Sequence, residues 1–305
     1  PEIWVAKENG LIVGQYATMP IRLKVLDRTI AGSWGMDVMV DPSTQRKGIG
    51  SRLWLYWDRQ VEASLGLGLS VSSYTLFKKL NWNDVGPVTC FSAVVDPRAL
   101  LERYVGGSLA RLLAPLAELL RELVLPRRRT KGGDRVSVDE LSDSFGKEYD
   151  LLWENVAPEF DFVAERKARY LQWKFLNVPY INYDIYEARR DEILSGYIIL
   201  RRTVRNNVPL ALIVDILAHP NDHASFGKLL DKAYDWARKR GCARLQTFTL
   251  DRRIGARLAS KGFYRIPSPM QFCVRIHSDH ISESFFCDTS RWHVSFGDSD
   301  QDRDL

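Results

Sequence analysis

The sequence predicts an α/β chain of two tandem domains, each a mixed, mainly antiparallel sheet flanked by helices. Three observations carry that prediction. Apolar runs of strand length alternate with amphipathic runs of helical period over residues 1–95. The same alternation recurs from Arg135 onward, as a repeat of element order rather than of residues. Between the two stands Arg127-Arg128-Arg129-Thr130-Lys131-Gly132-Gly133, a basic, glycine-ended run that reads as a solvated linker, with contact to a membrane surface or an acidic partner as the rarer alternative.

Ile3 to Lys7 and Leu11 to Ile21 read as strands joined at Glu8-Asn9-Gly10, because Asn-Gly supplies the positive φ of a hairpin turn. Leu23 to Leu26 and Thr29 to Val40 continue the sheet around Asp27-Arg28. The apolar run Val38-Met39-Val40 stops at Asp41-Pro42. Gln45-Arg46-Lys47-Gly48-Ile49-Gly50 then opens a helix reaching about Leu65, with Leu53, Trp54, Trp57, Val61 and Leu65 on one face. Gly66 to Val71 reads as a short strand, Ser72 or Ser73 as the cap of a helix over Tyr74 to Leu80, and Val88 to Val95 as a final strand. Two glycines two apart let backbone approach a ligand, a helix start presents unpaired N–H groups, and Arg46, Lys47 and Arg52 add positive charge. That combination suits a polyphosphate; taken alone, it is also how an ordinary surface helix begins.

The order strand, glycine loop, helix, strand, short helix, strand resembles that of the GNAT N-acyltransferases. Gln45-Arg46-Lys47-Gly48-Ile49-Gly50 match the superfamily's Gln/Arg-x-x-Gly-x-Gly/Ala loop. Leu76-Phe77-Lys78-Lys79-Leu80-Asn81-Trp82 looks like its later Leu-Tyr-x-x-Leu-Gly-Phe element, at about the family's separation. The resemblance covers most of residues 1–95 and implies that residues 1–96 bind an acyl-CoA, with acetyl-CoA the expected donor. By the same resemblance, backbone N–H groups from Arg46, Lys47, Gly48, Ile49 and Gly50, flanked by Gln45 and Ser51, hold the pyrophosphate. Val38, Met39 and Val40 pair with the pantetheine arm, and Met39 or Val40 polarises the thioester carbonyl. Asp37, on the strand leading to the loop, is the candidate base for the incoming ammonium; its plainer role is a hydrogen bond that shapes the strand or orients the substrate. The family's thiolate-protonating Tyr is replaced by Phe77, which keeps only a packing contact with the cofactor. Tyr74, one helical turn earlier, is the candidate substitute, or simply packs.

In the second half, Val136 to Leu141, Tyr183 to Arg189, Leu194 to Val204, Leu210 to Ala218 and Ala243 to Thr249 read as strands. Glu148 to Trp173, Ser225 to Arg240 and Arg252 to Lys261 read as helices. This looks like a second, degenerate GNAT domain over 135–278, reached through a helical connector and basic linker over 97–134 and followed by a C-terminal extension over 279–305. Its loop, Asn221-Asp222-His223-Ala224-Ser225-Phe226-Gly227, has lost the paired glycines and gained an acid, which argues against a second phosphate-rich ligand. Arg166 to Phe175 with Pro179 and Tyr183, and Trp292 to Asp300, resemble stretches of two-lobed GNAT proteins of bacterial surface-polysaccharide assembly. A packed aromatic helix and a solvated acidic tail are the plainer alternative. Asp298, Asp300 and Asp302 alternate as in a calcium loop but lack its Gly and its closing Glu, and of the histidines only His223 and His293 are placed to line a groove.

A formal charge of +5, with 45% hydrophobic and 27% charged residues, fits an ordinary globular chain and selects neither nucleic acid nor an anionic small ligand. The four cysteines match no metal-ligand spacing and read as reduced thiols of a cytoplasmic protein. No run has the length of a membrane span, and the start in a strand, without Met, suggests that part of the first domain lies upstream. The expectation is a bacterial, cytoplasmic, acyl-CoA-dependent N-acyltransferase acting on a small-molecule amine, an amino sugar of cell-surface glycan synthesis. No metal, nucleic-acid or integral membrane partner is expected, and a homodimer is the assembly considered. Two rivals remain: an aminoacyl transferase of the peptidoglycan-bridge type, and a non-catalytic acyl-CoA sensor, which Phe77 favours.

Overall fold

The structure, a computed structural model, describes residues 2–98, 101, 112–113, 115–116, 119, 135–205, 207–277 and 281–302. Strands β1 (Glu2–Glu8) and β2 (Leu11–Val25) turn at Asn9-Gly10, both with positive φ as the sequence requires. β2 runs unbroken past residue 22 and pairs antiparallel with β3 (Arg28–Val40) from Gly14 to Val25. Helix α1 (Ile49–Asp58) is shorter than expected, because Ala63–Leu67 forms strand β4, buried at every residue. A short apolar run buried on both faces carries no period that separates it from a helix end. Helix α2 (Val71–Lys79) follows, capped by Ser70 rather than Ser72 or Ser73: Ser70 is extended, and its hydroxyl accepts from the Ser73 amide. Strands β5 (Asn83–Pro87) and β6 (Thr89–Val94) complete this half.

Beyond the connector come β7 (Val136–Glu140), α3 (Lys147–Val156), β8 (Phe162–Ala164) and α4 (Ala168–Leu171), which runs on into a π turn over Gln172–Leu176. The expected helix over 148–173 is thus interrupted, at Pro158 and again by β8. Next are β9 (Asp184–Arg190), β10 (Ile193–Arg205), β11 (Val208–Ala218), α5 (His223–Lys239), β12 (Arg244–Thr249) and α6 (Arg252–Ser260). The chain closes with β13 (Tyr264–Ile266), β14 (Gln271–Ile276), α7 (Glu283–Phe286) and β15 (Trp292–His293). The connector expected from Pro97 lies mostly, and the basic run 127–133 wholly, outside the described residues. No helix among the described residues is long and apolar enough to cross a membrane.

The sheets do not divide where the sequence does. The first has the order β15-β8-β2-β3-β4-β14-β5, with β1 also on β2; the second has the order β13-β6-β12-β11-β10-β9-β7. β6, expected as the last strand of the first half, lies antiparallel to β12, while β14 from the second half lies between β4 and β5. Pro87 ends β5 with no N–H to carry the ladder on, and the chain leaves one sheet for the other there. As a result, one apolar core takes buried residues from both sheets, including Trp34, Phe91, Phe162, Leu212, Phe272 and Trp292. A smaller one, around Tyr16, Trp54, Trp57, Phe77 and Trp82, fills the space under α1 and α2.

Candidate functional site

The centre of the first sheet comes apart at one end. β3 pairs with β2 as far as Val40, but with the parallel strand β4 only from Gly32–Ala63 to Gly35–Gly66. Past that junction no strand among the described residues is laddered to the β4-facing side of β3 over residues 36–40. At about 3.3 Å per residue this is about 16 Å of open ladder, lying inside a sheet rather than at its rim. Just where pairing stops, β3 carries a bulge, with Met36 and Asp37 together opposite Ala17. A bulge turns the strand and re-aims its side chains. Asp37 is half-buried within it, Val38 and Val40 are half-buried, and Met39 is exposed.

The open edge leads into the glycine loop. Asp41 accepts from the Ser43 amide and hydroxyl, which holds its carboxyl below the usual range and starts a single 3₁₀ turn, Pro42–Thr44. The Gln45 side chain donates back to the Val40 carbonyl, so Gln45 fixes the loop from within. Arg46 and Gly48 both have positive φ. Gly48 is the N-cap of α1 and supplies no side-chain cap, so the amides of Ile49, Gly50 and Ser51 have no acceptor within the helix. A Cβ at Gly48 would meet nothing within 4 Å, so the space over this helix start is open. Arg46 and Arg52 are exposed at its rim; Lys47 is exposed too and is shared with Glu8 at 3.9 Å. A helix N-terminus with no side-chain cap and with basic rim residues, continued by a strand edge that carries no neighbouring strand among the described residues, fits an elongated ligand with an anionic end and an amide-bearing arm.

Phe77 and Tyr74 part company on α2. Phe77 is 2% exposed and packs against Trp54 and Trp82, a core position. Tyr74 is half-buried, and its hydroxyl donates to Asp84 on β5. That bond, with some burial, pushes its pKa to about 12, so its proton is held firmly.

Residues 1–83 match the family model of an acetyltransferase (GNAT) domain. A GCN5-related N-acetyltransferase from Anabaena variabilis is similar in structure, with a TM-score of 0.62 over 90% of this chain and 62% of that one, at 10% identity. The Saccharomyces cerevisiae N-myristoyltransferase, solved with bound myristoyl-CoA, gives 0.58 over 87% and 67%, at 11% identity. A probable N-acyltransferase from Enterococcus faecalis gives 0.56 over 87% and 59%, also at 11%. Over residues 1–83 the likeness is to a GNAT domain; over the rest of the chain it is a likeness of fold to these structures. The chain spans less than two thirds of the length of the first and third of these structures. No curated protein matches it.

The second GNAT-like lobe repeats the splayed geometry and then fills it. β11 is laddered to β12 only from Leu210 to Leu212; at Ile213 the carbonyl accepts from the Thr247 hydroxyl instead, and β11 carries a bulge next to Asp215. Here the chain's own C-terminal segment takes the place: the Gly297 amide donates to the Val214 carbonyl at 2.7 Å, and Phe296 packs on Phe248. A Cβ at Gly297 would come within 2.9 Å of the Phe175 ring and 3.5 Å of the Asp215 Cβ, so only glycine lies this close. The helix start is occupied as well. Asp222 caps α5, accepting from the Ser225 amide and hydroxyl and from Arg190. A fixed carboxylate there disfavours a phosphate.

The two stretches singled out around Arg166 and Trp292 meet in this lobe. Arg166, 2% exposed, donates to Asp298 at 2.6 Å, to the Ala164 carbonyl at 2.7 Å and to Asp215 at 3.4 Å; Tyr197 donates to Asp215 from the other side. Lys174 donates to the Ser299 carbonyl, while Tyr183 donates to Asp302. Trp292 to Ser299 are therefore buried, not a solvated tail, and two of the alternating aspartates, Asp298 and Asp302, are structural partners of Arg166 and Tyr183. His293 lines no groove: it is 3% exposed and stacked on Phe160. His223, the first residue of α5, is exposed.

Proposed function

We propose that this chain is an acyl-CoA-dependent N-acyltransferase with one donor site, at the splayed edge of β3. The observation that carries the reading is the continuity of open ladder (36–40), left-handed Gly48 and uncapped amides at Ile49 to Ser51. The loop takes the pyrophosphate, with Gln45 holding its conformation and Arg46, Lys47 and Arg52 balancing charge. Val38 to Val40 pair with the pantetheine arm, and the Met39 or Val40 amide polarises the carbonyl as the oxyanion develops. Asp37, in the bulge at the reacting end, takes the ammonium proton directly or through water. The acceptor is an amine, an amino sugar of cell-surface glycan synthesis being the reading from sequence. The donor is the thioester itself and no metal is required.

Calorimetric titration with acetyl-CoA is expected to give micromolar affinity, and Gly48→Asp, which sets a carboxylate over the helix start, to abolish it. Absence of binding in the parent protein contradicts the reading. One observation favours a second reading, an acyl-CoA-binding protein without transfer: Phe77 has no proton to give and the Tyr74 proton is tied to Asp84. A thiol-release screen over amines, amino sugars first, separates the two. A thiolate leaves without a donor near neutral pH at a tolerable rate, so transfer with the proton taken from water is the expected result.

A further inference from the structure

An extended thioester anchored at Gly48 to Ser51 and lying along residues 36–40 delivers its acyl end to the point where β3 and β4 join. That point is a pair of glycines, Gly35 opposite Gly66. Neither has a positive φ, so both are glycine for space and not for conformation. A Cβ at Gly35 would overlap the Tyr16 hydroxyl, and one at Gly66 would lie 2.7 and 2.8 Å from two carbons of the Phe77 ring. The two rings therefore rest on bare backbone at the closed end of the groove. Both are 2% exposed, held from behind by Trp54 and Trp57. The other face of the junction is covered by buried Trp34 and by Gln301, whose carboxamide donates to the Leu67 carbonyl at 3.1 Å. Close-packed side chains thus lie beyond the junction on both faces, and each added methylene has to displace a ring from a filled core.

We infer that this site accepts only short acyl groups, of acetyl to propionyl size, and that Tyr16 and Phe77 set the limit. The inference rests on the donor-site reading above. It also gives Phe77 a role in place of the missing proton donor: it is the floor of the acyl site.

The test is calorimetric titration of the whole chain with CoA, acetyl-CoA, butyryl-CoA and octanoyl-CoA. Octanoyl-CoA is expected to bind at least tenfold more weakly than acetyl-CoA. Phe77→Leu, which keeps most of the volume and is compared at matched melting temperature, is expected to bring butyryl-CoA within threefold of acetyl-CoA. Phe77→Ala extends the shift toward octanoyl-CoA. Octanoyl-CoA binding the parent as tightly as acetyl-CoA overturns the inference and leaves the donor site standing, whereas no binding of any CoA species overturns the donor site itself. An unchanged series in Phe77→Leu removes Phe77 as the determinant.

Discussion

At the scale of single residues, His293 makes the stability of the fold depend on pH. It is buried, and neither ring nitrogen is hydrogen-bonded among the described residues. Burial first, and the Arg166 charge second, hold its pKa below 6.5 against the pull of Asp215, Asp298 and Asp251. The folded protein therefore keeps His293 neutral, while the unfolded chain takes up a proton near pH 6.5. Stability from this group is full above that pH and is lost as pH falls below it, by up to about 1.4 kcal/mol per unit. Chemical denaturation between pH 7 and 5 is expected to show this decline, and His293→Phe, which keeps the stack on Phe160, to flatten it. Asp37 belongs to the same scale. Asp37→Asn is expected to slow amine-dependent thiol release by about 10²-fold or more while leaving acetyl-CoA affinity unchanged; equal loss of both would make it a binding residue.

Among elements, the splay of β3 from β4 decides most. Gly66→Ala places a methyl against the Phe77 ring and is expected to cost about 1–3 kcal/mol in urea denaturation, with much of the loss recovered when Phe77→Leu is added. The loop and helix of this element were legible in the sequence, because Asp41-Pro42 and the two glycines are local signals with local causes. The bulge at Met36 and Asp37 was not, since it is defined by register against β2, which single-strand patterns do not carry. Likewise α1 was read too long, because the buried run Ala63–Leu67 has no alternation to mark it as a strand. The C-terminal segment admitted a solvated reading for a similar reason. Its Asp298 and Asp302 find Arg166 and Tyr183 more than a hundred residues away, and nothing near them in the chain says so.

For the whole molecule, the exchange of β6 and β14 ties the two sheets into one folding unit. Arg166 joins the β8 end of the first sheet to Asp215 of the second and to the C-terminal segment. Arg166→Met leaves two buried carboxylates without their cation and is expected to cost about 3–5 kcal/mol in a single unfolding transition. A sheet that melts separately would contradict that coupling. The exchange was invisible to sequence reading, which divides a chain where composition changes and not where strands pair. The asymmetry of the lobes follows from the same C-terminal segment: residues 296–298 lie against one splayed edge, and among the described residues no segment is laddered to the other.

Hydrogen exchange with and without saturating acetyl-CoA tests that asymmetry most directly. The account predicts slowed exchange at residues 36–40 and 46–51, with 213–218 and 221–227 unchanged. Protection confined to the second lobe, or binding with no protection along 36–40, would contradict it.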